Sequence, residues 1–323
     1  EFNLLVLLKI LLKFKFSYND YLIEYIKNSK HKYIISFIEN NLFYYSLKNK
    51  LPEKKIILIQ NGMRTEFFFK KMSQEKQLEV DYLFTFGKFY ARKYKQYVKS
   101  KIISLGSFKN NLINNERKKK DRSILFISSG PSFKKDMGIF GKFRIDPEIY
   151  FKPEKILLPV ILKYCQKNDY KLKILARSKK DHHFFYEKGF YNKILNLNEF
   201  ELLENKNWKQ SYKFTDDSSL IVSIYSALGL EAAVRGNRTI FFNVRNKVSE
   251  SLSLFWSDNK ISSRGPFWTD LINEEEFNRI ANYAIFSSDL EWKESLKFIF
   301  PNLIDYDAGN KRFLKVFQNE ESK

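Results

Sequence analysis

The sequence has few of the residues that form covalent cross-links, zinc sites and flexible linkers. Its 323 residues include a single cysteine, Cys165, together with 11 glycines and 7 prolines. One cysteine excludes an intrachain disulfide and a cysteine-rich zinc site, and it is typical of a protein from a reducing cytoplasm. The scarcity of glycine and proline excludes low-complexity linkers.

Two nucleotide-binding motifs are also missing from the chain. Neither a GxxxxGK[ST] phosphate loop nor a GxGxxG dinucleotide motif occurs, and we identify no convincing DxD pair for a divalent metal. Any nucleotide site must therefore be built from a less regular turn.

Acidic residues are scarce, and so are long apolar runs. The chain has 37 Asp and Glu against 57 Lys and Arg, a net charge of +20. This excess predicts an anionic partner, which can be a nucleic acid, an acidic membrane surface, or a phosphorylated or carboxylated substrate. The opening LLVLLKILLKF contains Lys9 and Lys13 and lacks a signal cleavage site. It is too short for a membrane span, and we expect a buried helix.

The order of apolar runs predicts an α/β protein with two domains. Hydrophobic residues make up 44% of the chain and aromatic residues 17%, which excludes a disordered protein. Strand-like runs at 31–38, 55–60, 82–86 and 101–105 alternate with helical segments, and further strands follow at 123–128 and 171–176. We place domains at 1–112 and 122–300, joined by the polar segment 111–122, with a tail at 301–323. Because the chain starts at Glu1 without methionine, a first strand upstream stays an open alternative.

The stretch 218–244 is the strongest local signal. Leu220 to Tyr225 is a β-rich apolar run, and Ser226 is a suitable N-cap for a helix that ends before Gly236. A second strand follows from Thr239, so the unit is β-α-β. Its first turn offers backbone N–H groups to a phosphate, and Ser223 would add a hydroxyl beside that of Ser226. The alternative is that Ser226 only caps the helix and that Glu231 pairs with Arg235.

Several strings give the chain a family resemblance. IISFIENNLFYYSLKN, KIILIQNGMRTEFF, DPEIYFKPEKILLPVILKYC, SIYSALGLEAAVRGNRTIFFN and GPFWTD are similar to those of bacterial surface-carbohydrate biosynthesis proteins related to the retaining Kdo transferases. The likeness runs from about Phe37 to Asp270. It implies a GT-B fold, with two Rossmann-like domains facing a central cleft. The first would bind the acceptor and the second the nucleotide sugar.

The resemblance also implies a donor, an acceptor and a location. The donor would be a CMP-activated acidic sugar such as CMP-Kdo, transferred to a glycan or glycolipid of lipopolysaccharide or capsule. No metal or other cofactor is expected, because the leaving group is a monophosphate. The enzyme would be cytoplasmic, and peripheral contact with an anionic inner membrane stays open.

The same resemblance implies binding residues. The Ser223 to Ser226 turn would hold the phosphate of CMP, and Glu231 would face the ribose. The carboxylate of the sugar needs cations, and arginine suits it because its fork can bind two oxygens. The candidates for binding this carboxylate or the phosphate are Arg64, Arg177, the Lys179–Lys180 pair, and His182 or His183.

Transfer with retention requires a nucleophile and an acid/base. We assign Asp146 as the nucleophile, with Asp136 as its competitor, and Glu66 as the acid/base. The alternative for each carboxylate is an ion pair with Arg64 or Arg144.

Two other functions stay open. One is a GT-B polyol-phosphate or other nucleotide-sugar transferase that uses a CDP- or UDP-linked donor. The other is a basic module that binds anions without catalysis. Nucleic acid is not the expected partner, because no RRM, KH, zinc-finger or helix-turn-helix signature occurs.

Overall fold

The structure is a computed structural model that describes residues 3–14, 17–114, 120–131, 139–140, 143–144, 146–177, 181–245, 262–297 and 300–321. The chain forms two compact units. The first comprises residues 1–64, 68–108 and 310–323, and the second comprises 65–67 and 109–309. The sequence predicts a division within residues 111–122 and a separate tail at 301–323. The contacts place the division after Phe108 and join residues 310–323 to the first unit.

The first unit is a parallel sheet with flanking helices. Four described strands pair in the order β1–β2–β3–β4, all parallel. The elements are α1 (Leu4–Leu12), α2 (Tyr18–Asn28), β1 (Tyr33–Ser36), a 3-10 helix (Leu42–Ser46), α3 (Leu47–Lys50), β2 (Lys55–Ile59), α4 (Glu66–Met72), β3 (Leu78–Thr85), α5 (Lys88–Lys95) and β4 (Val98–Ser104).

The core of this unit also contains the last helix of the chain. Buried side chains of the sheet, among them Ile57 and Phe84, pack with Val316 of the C-terminal helix Lys311–Glu321. The Phe313 ring lies 5.1 Å from that of Phe84, and Phe317 lies 5.2 Å from Tyr33. Each such aromatic pair stabilises by about 0.5–1.5 kcal/mol beyond the area that it buries. The end of the chain is therefore an integral part of the first unit.

The second unit is a larger doubly wound sheet. Six described strands are all parallel, in the order β12–β11–β10–β5–β8–β9. Its elements are a 3-10 helix (Asn110–Leu112), β5 (Asp121–Ile127), β6 (Ile139–Phe140), β7 (Phe143–Arg144), α6 (Pro147–Tyr150), α7 (Lys152–Asn168), β8 (Lys171–Leu175), α8 (Asp181–Asn192), β9 (Glu201–Leu203), α9 (Trp208–Asp217), β10 (Ser218–Ser223), α10 (Ala227–Val234), β11 (Thr239–Phe242), β12 (Trp268–Thr269), α11 (Glu274–Phe286), α12 (Asp289–Lys297) and α13 (Phe300–Leu303). A 3-10 helix (Ala308–Asn310) leads into α14 (Lys311–Glu321).

The strand order fixes where this unit can bind a ligand. From β5 the chain adds β8 and β9 on one side, then returns to add β10, β11 and β12 on the other. The switch point therefore lies between β5 and β10. Open α/β sheets bind ligands outside the carboxyl ends of their strands at such a point. The loops that follow Ile127 and Ser223 are the place to look for a site.

The opening helix differs from the prediction. We expected a buried helix, yet Leu5 and Leu12 of α1 are 71% and 80% exposed, and only Val6 and Ile10 are buried. Among the described residues, no helix combines the length and apolar character needed to cross a membrane.

One ion-pair cluster anchors the start of α11 to β12. The carboxylate of Glu276 accepts hydrogen bonds from Arg279 at 2.9 Å and from the hydroxyl of Thr269 at 2.8 Å, and it also pairs with Arg264. The bonds from Arg279, followed by those from Arg264 and Thr269, outweigh burial and lower the pKa of Glu276 to about 2. The carboxylate is therefore charged in the folded protein at every pH above that value.

This cluster predicts a pH-dependent contribution to stability. A carboxyl whose pKa is lowered by folding stabilises the fold above its unfolded pKa of about 4.3, and this contribution disappears as the pH falls through the folded value. We expect the Glu276→Gln variant to be less stable than the wild type at pH 7, with a gap that narrows from pH 5 to pH 2.5. Thermal unfolding of both proteins across that range measures the gap. A gap that stays constant with pH would contradict the assignment.

Candidate functional site

The candidate site lies in the second unit, at the carboxyl ends of its central strands. Ser128, Ser129 and Gly130 follow β5, and the turn to Ser226 follows β10. Arg177 follows β8. A parallel sheet brings the ends of neighbouring strands to one edge, so these polar residues share one region of the unit.

Two arginines meet at Ser129. Arg177 Nη1 donates to the backbone oxygen of Ser129 at 3.0 Å, and Arg245 Nη2 donates to its hydroxyl at 2.9 Å. Gly130 has φ of +76°, and a Cβ there would stand 2.7 Å from the Cδ of Arg177. The positive φ favours glycine, and any larger residue would also push the Arg177 side chain aside. The result is a turn flanked by two guanidinium groups, which suits an anionic ligand.

The two arginines differ in their surroundings. Arg177 is exposed, whereas Arg245 is 1% exposed and follows β11. Arg245 ion-pairs with the buried Glu154 of α7 and donates to the Tyr150 hydroxyl at 3.0 Å, and its guanidinium lies 3.8 Å from the centre of the Tyr150 ring. Burial raises the pKa of the Tyr150 phenol, although the charge of Arg245 acts in the opposite direction. Arg245 is therefore a support for the turn, and Arg177 is the cation that a ligand can reach.

A second buried network of hydrogen bonds holds the same turn through Ser128. The Ser128 hydroxyl donates to the buried carboxylate of Glu187, accepts from Tyr191 at 2.6 Å and accepts from the backbone N–H of Gly130 at 3.0 Å. Glu187 also accepts from the backbone N–H of Arg177 at 3.2 Å. Burial raises the pKa of Tyr191 well above its usual value, so this hydroxyl stays neutral. Residues 128–130 are thus held rigidly by side chains of α8.

The start of α10 agrees with the prediction at Ser226. Its hydroxyl oxygen accepts from the backbone N–H of Leu228 at 3.2 Å, which confirms the N-cap, and the residue is half-buried. Ser223 is different. It is 1% exposed, and a Cβ on Gly229 would lie 2.6 Å from its hydroxyl oxygen. The side chain of Ser223 packs under α10, where helix and strand approach each other closely, and its contact with a phosphate stays a prediction.

Glu231 also points into the protein interior. It is 7% exposed, and its Oε2 accepts from the Tyr212 hydroxyl at 2.8 Å. Arg235, one turn later, ion-pairs with Asp216 at 2.6 Å and donates to the backbone oxygen of Glu231 at 3.3 Å. Glu231 thus joins α10 to α9, and its contact with a ribose stays a prediction.

Arg64 belongs to a separate buried cluster in the first unit. Its Nε and Nη2 donate to Glu39, its Nη2 donates to Asn61 at 2.7 Å, and its Nη1 donates to the backbone oxygen of Met63 at 2.8 Å. Glu39 is fully buried and also accepts from the Tyr94 hydroxyl at 2.7 Å. Four of the five N–H groups of a guanidinium are therefore used within the protein. Binding of a donor carboxylate by Arg64 stays a prediction, although only one of its N–H groups is left for such a ligand.

The two predicted catalytic carboxylates are both exposed. Asp146 caps α6 by accepting from the backbone N–H of Glu148 at 2.8 Å. Glu66 is the first residue of α4. Their catalytic roles stay predictions.

Several other predicted site residues lie outside the described residues. They are Asp136 and the Lys179–Lys180 pair, together with the side chains of Arg144 and His182. His183 lies in α8 and is half-buried.

The residues that support the turn were missed from the sequence. They are Ser129, Tyr150, Glu154, Glu187 and Arg245. A glutamate in the first turn of a helix and an arginine just after a strand are common, so neither stands out alone. One signal could have pointed to Arg245. It follows β11, which is a strand of the same sheet as the Ser226 turn, so it could be expected near the site.

Among the residues that the structure describes, no group of three His, Cys, Asp or Glu side chains is arranged to hold a metal ion. Cys165 packs in the core, and burial raises the pKa of its thiol to about 12, which disfavours the reactive thiolate.

Comparison with known proteins gives a family and a fold. A family described as "putative O-antigen biosynthesis protein" matches residues 57–321. No curated protein matches the sequence significantly. Among solved structures, S. aureus MnaA with UDP is 11% identical with a TM-score of 0.55, over 94% of this chain and 78% of that one.

Two further structures are similar over comparable lengths. A Methanocaldococcus jannaschii UDP-GlcNAc 2-epimerase in complex with UDP-GlcNAc and UDP is 11% identical with a TM-score of 0.55, over 93% of this chain and 80% of that one. The wall teichoic acid polymerase TagF is 10% identical with a TM-score of 0.56, over 94% and 74%. Such identities concern the fold alone. The predicted fold class is confirmed, because the two parallel-sheet units are those of GT-B enzymes.

Proposed function

Because the chain belongs to this O-antigen biosynthesis family, we propose that it is a glycosyltransferase of surface-glycan assembly that takes its sugar from a nucleotide-activated donor. The observation that carries the proposal is the Ser129 turn, which follows β5 beside the switch point of a doubly wound sheet and is contacted by the exposed Arg177 from the end of β8. The UDP and UDP-GlcNAc named for the similar structures support a nucleotide-sugar ligand.

The donor we propose is CMP-Kdo or a related CMP-activated acidic sugar. Such a donor carries one phosphate and one sugar carboxylate. The capped start of α10 would accept the phosphate, since its first backbone N–H groups and the helix dipole favour an anion. Arg177 would bind the carboxylate through its fork. The UDP-containing neighbours favour the alternative, a CDP- or UDP-linked donor, so the base and the phosphate count must be tested directly.

A nucleotide panel tests the donor. We expect CMP to raise the melting temperature of the protein more than UDP or GDP at equal concentration. A ligand present at 100 times its dissociation constant stabilises the folded state by about 2.7 kcal/mol, so a tenfold preference in affinity is easily resolved. The same scan with Arg177→Gln should reduce the shift for CMP-Kdo more than the shift for CMP, because Arg177 is assigned to the sugar carboxylate. A larger shift with UDP would move the assignment to the alternative donor class.

For the reaction we propose retention through a covalent intermediate. The Asp146 carboxylate would attack the anomeric carbon as the bond to the phosphate oxygen breaks and CMP leaves. The acceptor hydroxyl, losing its proton to Glu66, would then displace Asp146 and form the glycosidic bond. Incubating the protein with CMP-Kdo and recording its intact mass tests the first step. We expect an increase of one sugar residue, and no increase under turnover conditions would contradict the covalent step.

We further propose that the acceptor is a glycan or glycolipid. The protein itself would be cytoplasmic and would contact an anionic membrane peripherally. The alternative without catalysis is a basic anion-binding module. It predicts binding to any polyanion that weakens steeply with salt and no response to nucleotides. Duplex DNA in the same thermal scan, at two salt concentrations, separates the two.

A further inference from the structure

Helix α1 turns a row of leucines away from the protein. Leu4, Leu5, Leu8, Leu11 and Leu12 have exposed fractions between 40% and 80%. At about 100° per residue these five positions fall within an arc of about 120°. We call this arc the leucine face. Soluble helices of this kind normally bury such a stripe, so its exposure calls for a partner.

The orientation of the leucine face is set by contacts on the opposite side of α1. Val6 and Ile10 are the buried residues of the helix. Lys9 donates to the Asn28 side chain of α2 at 2.8 Å, and Lys13 ion-pairs with Glu24 at 3.0 Å. These cross-links fix α1 on α2 as a helical hairpin. The leucines therefore face outward because α1 is held against α2 by its opposite side.

The helical hairpin that carries the leucine face is also basic and has exposed aromatic side chains. Residues 1–32 contain six lysines and three acidic residues. Phe14, just after α1, and Tyr18, the first residue of α2, are 85% and 75% exposed. Apolar, aromatic and basic side chains in one short hairpin are typical of a helix that lies in the plane of an anionic lipid surface.

A second protein molecule is a poorer occupant. A nine-residue helix is about 14 Å long, so one of its faces covers far less than the roughly 800 Å² per partner of a stable protein interface. A bilayer has no such minimum, since each buried leucine adds its own transfer free energy and each nearby lysine adds attraction to anionic headgroups.

We propose that the leucine face of α1 docks in the plane of an anionic lipid membrane. This inference builds on the proposed peripheral placement and deepens it, because it names the surface. It is independent of the proposed transfer, since binding to vesicles requires neither donor nor acceptor.

Vesicle flotation tests the proposal. We use the full chain with vesicles of phosphatidylcholine alone and with 30% phosphatidylglycerol, at low and high salt. The test variant is Leu5→Glu/Leu12→Glu. The matched control is Phe286→Glu/Leu290→Glu, which makes the same kind of change at residues of the second unit that are 72% and 68% exposed.

The expected results distinguish a membrane from a second protein molecule as the partner of the leucine face. Wild type and control should float with the phosphatidylglycerol vesicles, and the test variant should bind at least about tenfold more weakly, since two leucines leave the bilayer and two negative charges approach it. Circular dichroism should show that both variants fold. Equal flotation of test variant and wild type would overturn the proposal, as would equal flotation with phosphatidylcholine alone. A wild-type dimer in analytical ultracentrifugation that the test variant abolishes would overturn it in favour of a second copy.

Because the readout uses no sugar, a negative flotation result leaves the nucleotide panel unaffected. If the wild type floats with the vesicles but no nucleotide raises its melting temperature, the proposed transferase activity is contradicted and the proposed membrane surface is supported.

Discussion

Arg245→Met is expected to destabilise the second unit by about 3–5 kcal/mol, because it leaves the buried carboxylate of Glu154 without its counter-charge. Both side chains are almost inaccessible, at 1% and 0% exposed. The substitution also removes the donors to Tyr150 and Ser129. Methionine fills most of the space of the lost side chain, so the result reports the lost charge and hydrogen bonds more than a cavity.

Tryptophan fluorescence measures this effect in the right part of the chain. The protein has four tryptophans, Trp208, Trp256, Trp268 and Trp292, and all lie in sequence within residues 109–309 of the second unit. Urea unfolding followed by this signal therefore reports that unit. The matched control is Arg177→Met, an arginine that contacts the same Ser129 but is exposed. It should cost at most about 1.5 kcal/mol, the net contribution of an ordinary hydrogen bond.

A double variant separates the ion pair from simple packing. Removing both charges with Arg245→Met/Glu154→Leu should recover much of the stability lost in Arg245→Met, because a buried pair can often be replaced by apolar residues at little cost. Two outcomes would show that Arg245 does not anchor the turn. The double variant could be no more stable than Arg245→Met, or Arg245→Met could lower the free energy of unfolding by less than about 1 kcal/mol.

The alternation of strands and helices could be predicted from the sequence because buried parallel strands are nearly continuous apolar runs. β2, β5, β8 and β10 were all predicted in this way. The short β9 and β12 were missed, together with α9 between them in sequence. A strand of two or three residues is too short to show a period, and only its pairing with a neighbour defines it.

Side-chain direction was the weak point of the sequence-based prediction at the site. The N-cap role of Ser226 follows from a local rule, so it could be predicted. Ser223, three residues earlier, carries the same hydroxyl, but it is buried against Gly229 of α10, a tertiary contact that no local rule predicts. The Arg245–Glu154 pair joins residues 91 apart in sequence, and no local pattern indicates such a contact.

The error at α1 has a related cause. The apolar run at the start of the sequence correctly predicts a helix, but it does not say which face of that helix meets the protein. The structure uses Val6 and Ile10 for that contact and leaves the wider leucine arc outside. An apolar stripe is therefore evidence for a helix and for some apolar partner, which need not be the core.

Asp146→Asn is expected to reduce the rate of sugar transfer by at least about 10³-fold, because an amide cannot form the covalent sugar intermediate. Asparagine ranks with aspartate as an N-cap, so the hydrogen bond from the Glu148 N–H to residue 146 should survive. The melting temperature and its shift with CMP should then match the wild type. Asp146→Ala is the comparison that also removes the cap, at a cost of about 1 kcal/mol.

The pair of variants distinguishes the two roles of this carboxylate. Loss of turnover in both, with lower stability only in the alanine variant, supports the nucleophile. If Asp146→Asn transfers sugar at the wild-type rate, Asp146 acts only as the cap of α6, and the nucleophile must be sought at Asp136. Asp146→Glu adds a check of position, since it keeps the carboxylate but moves it by one methylene, and a misplaced nucleophile should lose about 10²-fold.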